Sequence, residues 1–424
     1  MARKPIFALV DCNNFFVSCE RAFRPDLWNK PVVVLSNNDG CIVARSNEVK
    51  AMGVPMGVPY FEVKRILTDN KVTLFSGNFA LYGDFSQRVV QILQAECPDI
   101  EVYSVDESFL EISALGIKDY VKWGRDLRAK ILQHIGIPVS VGIAYSKTLA
   151  KGAADYCKKN ESEQGAFSAL SEENYIQLLN WLPLKDIWGV GYRTAPKLRE
   201  LGMVNAYDLA QVSNHWAQNR LGIRGVKMVR ELQGQSCYPL DVSDEPQKSI
   251  MRSRSFGHTI RDYYELEAAV ATFAAQTAVK LRQQGELAGG IGTFLYGSKH
   301  EDVRRGGSHM VTLMPPTNET GKLITGALEA LKQVYDPDFG YKKAGVVLAD
   351  LRPVTAWQMA FDSDPKQLDT QSELNKTIDK LNNRYGVRLV RHASEDPNRN
   401  GWFSLRQMRS PAYTTSWNDL PKVS

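Results

Sequence analysis

A chain of 424 residues that is 43% hydrophobic can bury a sizeable core but exceeds one ordinary domain, so two to four domains are expected. Its formal charge of +5 is compatible with an acidic partner without requiring one, and no apolar run reaches the roughly 18–20 residues of a membrane span. Six cysteines without a CxxC pair, and six histidines none of which stands at ligand spacing from a cysteine, argue against a disulfide scaffold or a zinc site and for reduced thiols in or near cores.

The N-terminus, MARKPIFALVDCNNFF, has a short apolar run broken by Asp11 and no secretory signal, so a cytoplasmic protein is expected. PIFALVD reads as a strand ending at Asp11, FFVSCERAF as a helix and KPVVVLS as a second strand. The Gly- and Pro-punctuated stretch that follows, to about residue 78, reads as a small inserted subdomain. FALYGDFSQRVVQILQAEC is an amphipathic helix. EVYSVDESFLEI, residues 101–112, alternates like a half-buried strand on either side of Asp106 and Glu107. YVKWGRDLRAKILQHIG reads as a helix, PVSVGIAYS as a strand and KTLAKGAADYCKK as a helix, which gives an α/β sandwich over about 1–168.

From about 170 to 235 the pattern is wholly helical: SEENYIQLLNWL, RTAPKLRELG, AYDLAQV and VKMVRELQG. CYPLDVSDEPQKS has the composition of a linker. Beyond it, IMRSRSFGHTI, YELEAAVATFAAQTAVKLRQQG, IGTFLYGS, HMVTLMPP, KLITGALEALKQVY and KAGVVLADLRP follow a βαββαβ order over about 250–354. The last 70 or so residues are polar and irregular, with one helix-like piece, SELNKTIDKLNNRYG, and read as a tail that docks or binds.

Neighbouring side chains in a strand point to opposite faces, so Asp106 and Glu107 can serve one site only from a turn or bulge. VYSV and SFLEI then become hairpin arms, and with Asp11 at the end of another strand three carboxylates could converge at a sheet edge. Such a cluster suits Mg²⁺ shared with substrate phosphates, although spacing alone is equally met by a solvated turn. Phe15 and Phe16 read either as core or as an aromatic wall for a nucleotide sugar. Arg45, Lys50, Lys151 and Lys158 flank the same edge, where they could hold a triphosphate or remain surface charge. In LKDIWGVGYRTAPKLRELG, Gly189 and Gly191 bracket a tight turn, and Ala195, Leu198 and Leu201 have core spacing. That is the helix-hairpin-helix pattern, which grips nucleic-acid backbone without reading bases, with a plain αα-corner as the alternative.

Together, LVDCNNFFVSCE, AFRPDLW, KPVVVLSNNDGCIVAR, YSVDESFLEI, VGIAYSKTLAKGAAD, DIWGVG and SPAYTT resemble the Y-family of translesion DNA polymerases, UmuC subfamily, over essentially the whole chain. The resemblance implies a multidomain α/β and α+β right-hand polymerase: palm at 1–29 and 79–168, small fingers at 30–78, an all-α helix-hairpin-helix thumb at 169–236, a linker at 237–249, an α+β little finger at 250–354, and a partner-binding tail at 355–424. It implies two Mg²⁺ ions held by Asp11, Asp106, Glu107 and the carbonyl of Cys12. Phe16 stands at the position that rejects a ribose 2′-OH, beside Phe15, and Asn47, Lys50 and Lys158 at triphosphate-contacting positions. Asn47 departs from the Tyr common elsewhere in the family. Lys151, Gly189, Val190, Gly191, Arg252 and Arg254 are the candidate DNA contacts.

Gln358, Met359 and Phe361 in AWQMAFDSD form a shortened sliding-clamp motif, whose plain reading is a loop anchored by Trp357 and Phe361. Further implied partners are primer-template DNA with dNTPs, a dimer of cleaved UmuD-like protein, and RecA. The expected activity is error-prone synthesis past damaged bases in an SOS response. The rivals are a non-catalytic DNA-binding accessory protein with a relic palm, against which the complete carboxylate set argues, and another palm enzyme such as a nucleotidyl cyclase, which needs no helix-hairpin-helix.

Overall fold

The computed structural model describes residues 4–241, 246–297, 306–356, 365–385, 389–396, 398 and 401–421. The chain divides into two units, one comprising 1–36, 40–243 and 407–424, the other 37–39 and 244–406.

The first unit begins with β1 (Phe7–Cys12), α1 (Phe15–Phe23), β2 (Val32–Leu35), β3 (Ile42–Arg45), α2 (Asn47–Ala51), α3 (Tyr60–Asp69), β4 (Thr73–Ser76) and α4 (Phe79–Glu96). It continues through β5 (Ile100–Val102), β6 (Glu107–Glu111), α5 (Tyr120–Ile135), β7 (Val139–Ala144), α6 (Lys147–Lys159) and β8 (Ala166–Ser168). Two sheets result, one of order β5-β6-β1-β7-β8 and a smaller one of order β3-β2-β4. β1 is buried along its whole length because it is the middle strand, antiparallel to β6 and β7 and covered on both faces. Val10, Phe15, Leu81 and Phe85 belong to one of its two cores, and Leu9, Ala150, Ala153 and Phe167 to the other.

Gly142 decides how α6 sits. A Cβ there would come within 2.1 Å of the Ala154 nitrogen and 2.2 Å of the Ala150 oxygen, so only glycine lets helix backbone lie against β7. The start of α6 is fixed from afar. Ser146 caps it by accepting from Leu149 N–H, and the fully buried Glu231 accepts from Thr148 N–H and from Cys237 N–H. Lys147, also buried, pairs with Glu101 and donates to Pro239 O at 2.7 Å.

Glu231 lies on the last of four helices that complete the unit: α7 (Glu172–Trp181), α8 (Thr194–Glu200), α9 (Ala206–Ala210) and α10 (Asn214–Leu232). The helical reading of this region holds, with α10 starting well before VKMVRELQG and kinked at Gly222, where φ is +70°. Leu201 corrects an expectation: Ala195 and Leu198 are buried, but Leu201 stands past the end of α8 and is 44% exposed, because the helix stops one residue short of it.

The second unit has β9 (Ile250–Ile260), α11 (Tyr263–Gln283), β10 (Glu286–Tyr296), β11 (Gly306–Thr317), α12 (Thr320–Val334), β12 (Tyr341–Pro353) and α13 (Pro365–Tyr385). Its first six elements are the expected βαββαβ, with sheet order β11-β10-β12-β9. α11, whose run of alanines brings it close to the strands, shares a core with α12 and the sheet through Phe273, Leu323, Ile291 and Val346. The C-terminal region is split between the units. Asp379 of α13 forms a two-pronged pair with Arg282 at 2.8 Å, and Trp402 packs edge-on to Phe273, whereas residues from Gln407 onward belong to the first unit.

Candidate active site

The opening chemistry rests on strand register. Asp11 is the next-to-last residue of β1, and its cross-strand partner is Glu107, the first residue of β6. Directly opposed residues in an antiparallel pair project from the same face with Cβ atoms about 4.5–5.5 Å apart, so these carboxylates share a side. β5 and β6 form the hairpin, with Val102 opposite Ser108, and Asp106 falls in its turn. The carboxylates therefore gather at the end of the sheet's middle strand rather than along its lateral edge, because β1 is flanked on both sides.

Ser104, which the sequence did not single out, pins the turn. Its hydroxyl donates to Asp106 Oδ1 at 2.7 Å and accepts from the N–H groups of Asp106 and Glu107, while Cys12 N–H donates to the Asp106 carbonyl at 2.8 Å. A serine two residues before an aspartate in a hairpin loop is the available sequence signal, since Ser side chains bond to nearby backbone in turns.

Seven residues apart, and hence two helical turns apart on one face of α6, Lys151 and Lys158 reach the same cluster. Lys158 Nζ lies 2.6 Å from Asp11 Oδ1, and Lys151 Nζ 2.5 and 2.7 Å from the two Glu107 oxygens. Burial raises the pKa of Glu107, and Asp11 and Asp106 raise it further against the opposing pull of Lys151. Asp155 is raised by burial and by Asp11. Burial works against the Lys158 charge, but Asp11 outweighs it and holds the ammonium on. Partial desolvation and the neighbouring Lys158 and Arg45 lower Lys50.

Carboxylates crowded this closely call for positive charge. Their hard oxygen donors, with the Cys12 carbonyl adjoining, fit a hard divalent cation. Among the described residues no three His, Cys, Asp or Glu side chains form a ready metal cage. Asp11 and Glu107 are turned to lysines and Asp106 to Ser104, so a cation would take the place of ammonium groups.

Beside the cluster lies a cavity of about 180 Å³ lined by Asp106, Lys158, Lys50, Arg45, Phe15 and Phe16, among others. Cations, one carboxylate and two aromatic rings thus share one concavity. Asn47 reaches it indirectly. Asn14, in the left-handed region at φ 48°, donates to Asn47 Oδ1 at 3.0 Å and accepts from Lys50 Nζ at 2.6 Å, tying α1 to α2. Phe15 is buried, and Phe16 stacks on Tyr82 with centroids 4.4 Å apart and planes at 14°. Neither Asn14 nor Tyr82 stood out in the sequence.

The other predicted positions are not among the residues that line this cavity. Gly189, at φ +94°, and Gly191 are exposed on either side of Val190, which is buried, and the Gly191 carbonyl accepts from Thr194 and Ala195 at the start of α8. Any ligand contact by Val190 would be through its backbone. Arg252 and Arg254 are in the second unit on the edge strand β9, opposite Val346 and Ala344. Trp357, Gln358, Met359 and Phe361 lie outside the described residues. Among the described residues, no helix is long and apolar enough to cross a membrane.

Comparison with known proteins gives three matching segments, the last of which spans the boundary between the two units at Gln407. Residues 10–155 match the impB/mucB/samB family, residues 247–361 its C-terminal domain, and residues 372–423 a domain of unknown function, DUF4113. The chain is similar to protein UmuC of Salmonella typhimurium strain LT2, at 37% identity over 99% of this chain and 100% of the relative. It is also similar to protein ImpB of Salmonella typhimurium, at 37% identity over 98% and 99%. A solved Y-family DNA polymerase chimera superimposes with a TM-score of 0.63 over 82% of this chain and 99% of that one, at 20% identity, which establishes a shared fold.

Proposed function

We infer the chemistry from the family: the chain belongs to the impB/mucB/samB family, is UmuC-like along its length, has the Y-family polymerase fold, and is a DNA-directed DNA polymerase for error-prone translesion synthesis. The single observation that carries the site assignment is the cross-strand pair Asp11 and Glu107, joined by Asp106 from the hairpin turn, beside a cavity that also holds Lys50, Lys158 and Phe16.

In this reading primer-template DNA and a dNTP are the substrates. Asp11, Asp106, Glu107 and the Cys12 carbonyl would hold two Mg²⁺ ions, which when bound supply charge stabilisation at the attacking and leaving oxygens of an in-line displacement. The chain's own residues do the positioning. Lys158 and Lys50, with Arg45 and Asn47 beside them, would neutralise and orient the triphosphate, so that the primer 3′-OH meets the α-phosphate and pyrophosphate departs. Lys158 and Lys151 already lie within hydrogen-bonding distance of the carboxylates, which supports an exchange in which they release oxygens as cations and phosphates arrive. The Phe16 ring, held flat by Tyr82, would occupy the space a 2′-OH needs.

Palm, fingers, thumb, linker, little finger and tail are assigned as 1–29 with 79–168, 30–78, 169–236, 237–249, 250–354 and 355–424. Gly189 to Gly191, Lys151, Arg252 and Arg254 are proposed to follow the DNA backbone, which positions without reading sequence. The UmuC likeness supports work in the cytoplasm during an SOS response with a cleaved UmuD-like dimer, RecA and, through Gln358, Met359 and Phe361, a sliding clamp.

Primer extension on undamaged and abasic templates, with and without a UmuD-like partner and a RecA filament, tests the function. Extension past the abasic site, absent without dNTPs, is the expected result. DNA binding with no extension under any of these conditions would favour the non-catalytic accessory protein instead.

A further inference from the structure

Glu20 is a carboxyl group with no exposed surface, four residues after Phe16 and thus one turn along the same face of α1. Its Oε1 accepts from the Tyr82 hydroxyl at 2.7 Å and from the Ser410 hydroxyl at 3.1 Å, and its Oε2 has no hydrogen-bond partner among the described residues. Burial raises its pKa, with the two hydroxyls opposing that rise. A polar group kept in such a place costs stability unless its bonds are made, so it is strongly directional: the two hydroxyls must stay where they are.

Each hydroxyl belongs to a larger restraint. Tyr82 is the residue whose ring stacks on Phe16. Ser410 comes from the C-terminal segment, which is laced to the first unit on either side of it. Met408 exchanges two hydrogen bonds with Ser76 at the end of β4, at 2.9 and 3.0 Å. Arg409 donates to Asn78 Oδ1 at 3.2 Å, and Asn78 donates to Ser410 Oγ at 3.0 Å. The Asn78 carbonyl in turn accepts from Tyr82 N–H in the first turn of α4. Tyr413 stacks on Phe23 at 4.4 Å and 14°, the same geometry as Tyr82 on Phe16. Phe16 and Phe23 are seven residues apart on α1, so one face of that helix is held by a stacked tyrosine at each end.

We propose that the C-terminal segment, through Ser410 and Glu20, is a positioning device for Phe16 that sets how strictly the polymerase selects deoxyribose over ribose. The proposal rests on Phe16 being the sugar gate. Glu20, Tyr82 and Ser410 touch no substrate in this account. They fix the roll of α1 against α4 and so the plane of the Phe16 ring beside the cavity. The segment thereby couples sugar choice to the anchoring of a distant part of the chain.

The test is single-nucleotide insertion by the full chain, comparing kcat/KM for a dNTP with that for the matching rNTP. Ser410→Ala and Tyr82→Phe each remove one hydroxyl and leave the backbone and the ring stack in place. Each is expected to lower sugar discrimination roughly fivefold, the worth of one net hydrogen bond, with dNTP insertion close to wild type. Ser410→Thr, which keeps a hydroxyl, should retain wild-type discrimination. In a Phe16→Ala background, adding Ser410→Ala should change discrimination no further, which a general loss of stability would not reproduce. If Phe16→Ala raises ribonucleotide insertion but Ser410→Ala and Tyr82→Phe leave the ratio unchanged, the positioning role is wrong and the gate stands. If Phe16→Ala leaves the ratio unchanged, the gate falls and the positioning role with it.

Discussion

Gly142→Ala places a methyl group where helix backbone already lies. The added carbon would stand 2.1 Å from Ala154 N and 2.2 Å from Ala150 O, with no flexible side chain between β7 and α6 to yield. Relief to an ordinary contact of about 3.5 Å requires α6 to move off the sheet by about 1 Å or more. That shift stretches the Lys158–Asp11 and Lys151–Glu107 pairs, now 2.6 Å and 2.5–2.7 Å, past the hydrogen-bonding limit of about 3.2 Å. Overpacking typically costs about 1–3 kcal/mol, and a collision with rigid backbone belongs at the upper end. In a unit of this size about 3 kcal/mol corresponds to a fall in Tm of roughly 6–12 °C. Gly83→Ala is the control, since a Cβ there meets nothing within 4 Å and the residue sits inside α4. Calorimetry should show the fall for Gly142→Ala alone, and primer extension below that melting point should show a raised KM for dNTP. An unchanged midpoint together with an unchanged KM would refute the argument that this glycine sets the height of α6.

Ser104→Ala removes the hydroxyl that holds Asp106 and two backbone N–H groups, so kcat for nucleotide insertion should fall about tenfold with KM little changed, as measured by single-turnover insertion. Lys158→Met withdraws a cation from the cavity and should raise the dNTP KM roughly tenfold or more, read by steady-state insertion. Lys147→Met removes the counter-ion of the buried Glu101 carboxylate, which among the described residues keeps only the N–H of Asp241, and should destabilise the first unit by about 3 kcal/mol in a denaturant titration, with much of the loss recovered on adding Glu101→Gln.

What the sequence discloses and what it hides divides by the range of the interaction. The hairpin was legible because EVYSVDESFLEI alternates on both sides of a carboxylate pair, and two neighbours can share a task only from a turn. The pairing of Lys151 with Glu107 and Lys158 with Asp11 was not, because it depends on Gly142, a glycine whose meaning appears only when a helix is laid across it. β3, β4 and β8 escaped notice because each is three or four residues long and, unlike β2 with its run of valines, carries no apolar run or flanking pattern that marks it out. Glu20 looks like one charged position on an amphipathic helix, and its burial follows from Tyr82 and from Ser410, 390 residues away. The tail read as a single docking element is divided between the two units at Gln407, a boundary set by Ser76, Asn78 and Phe23 rather than by any composition change near it.

Rapid-quench measurement of one dNTP added to a primer-template, for Asp106→Asn and Glu107→Gln beside the parent chain, tests the central claim most directly. Transfer should be lost in both variants while affinity for the same DNA stays near that of the parent. Insertion by either at close to the parental rate would contradict the assignment of these carboxylates as the catalytic site.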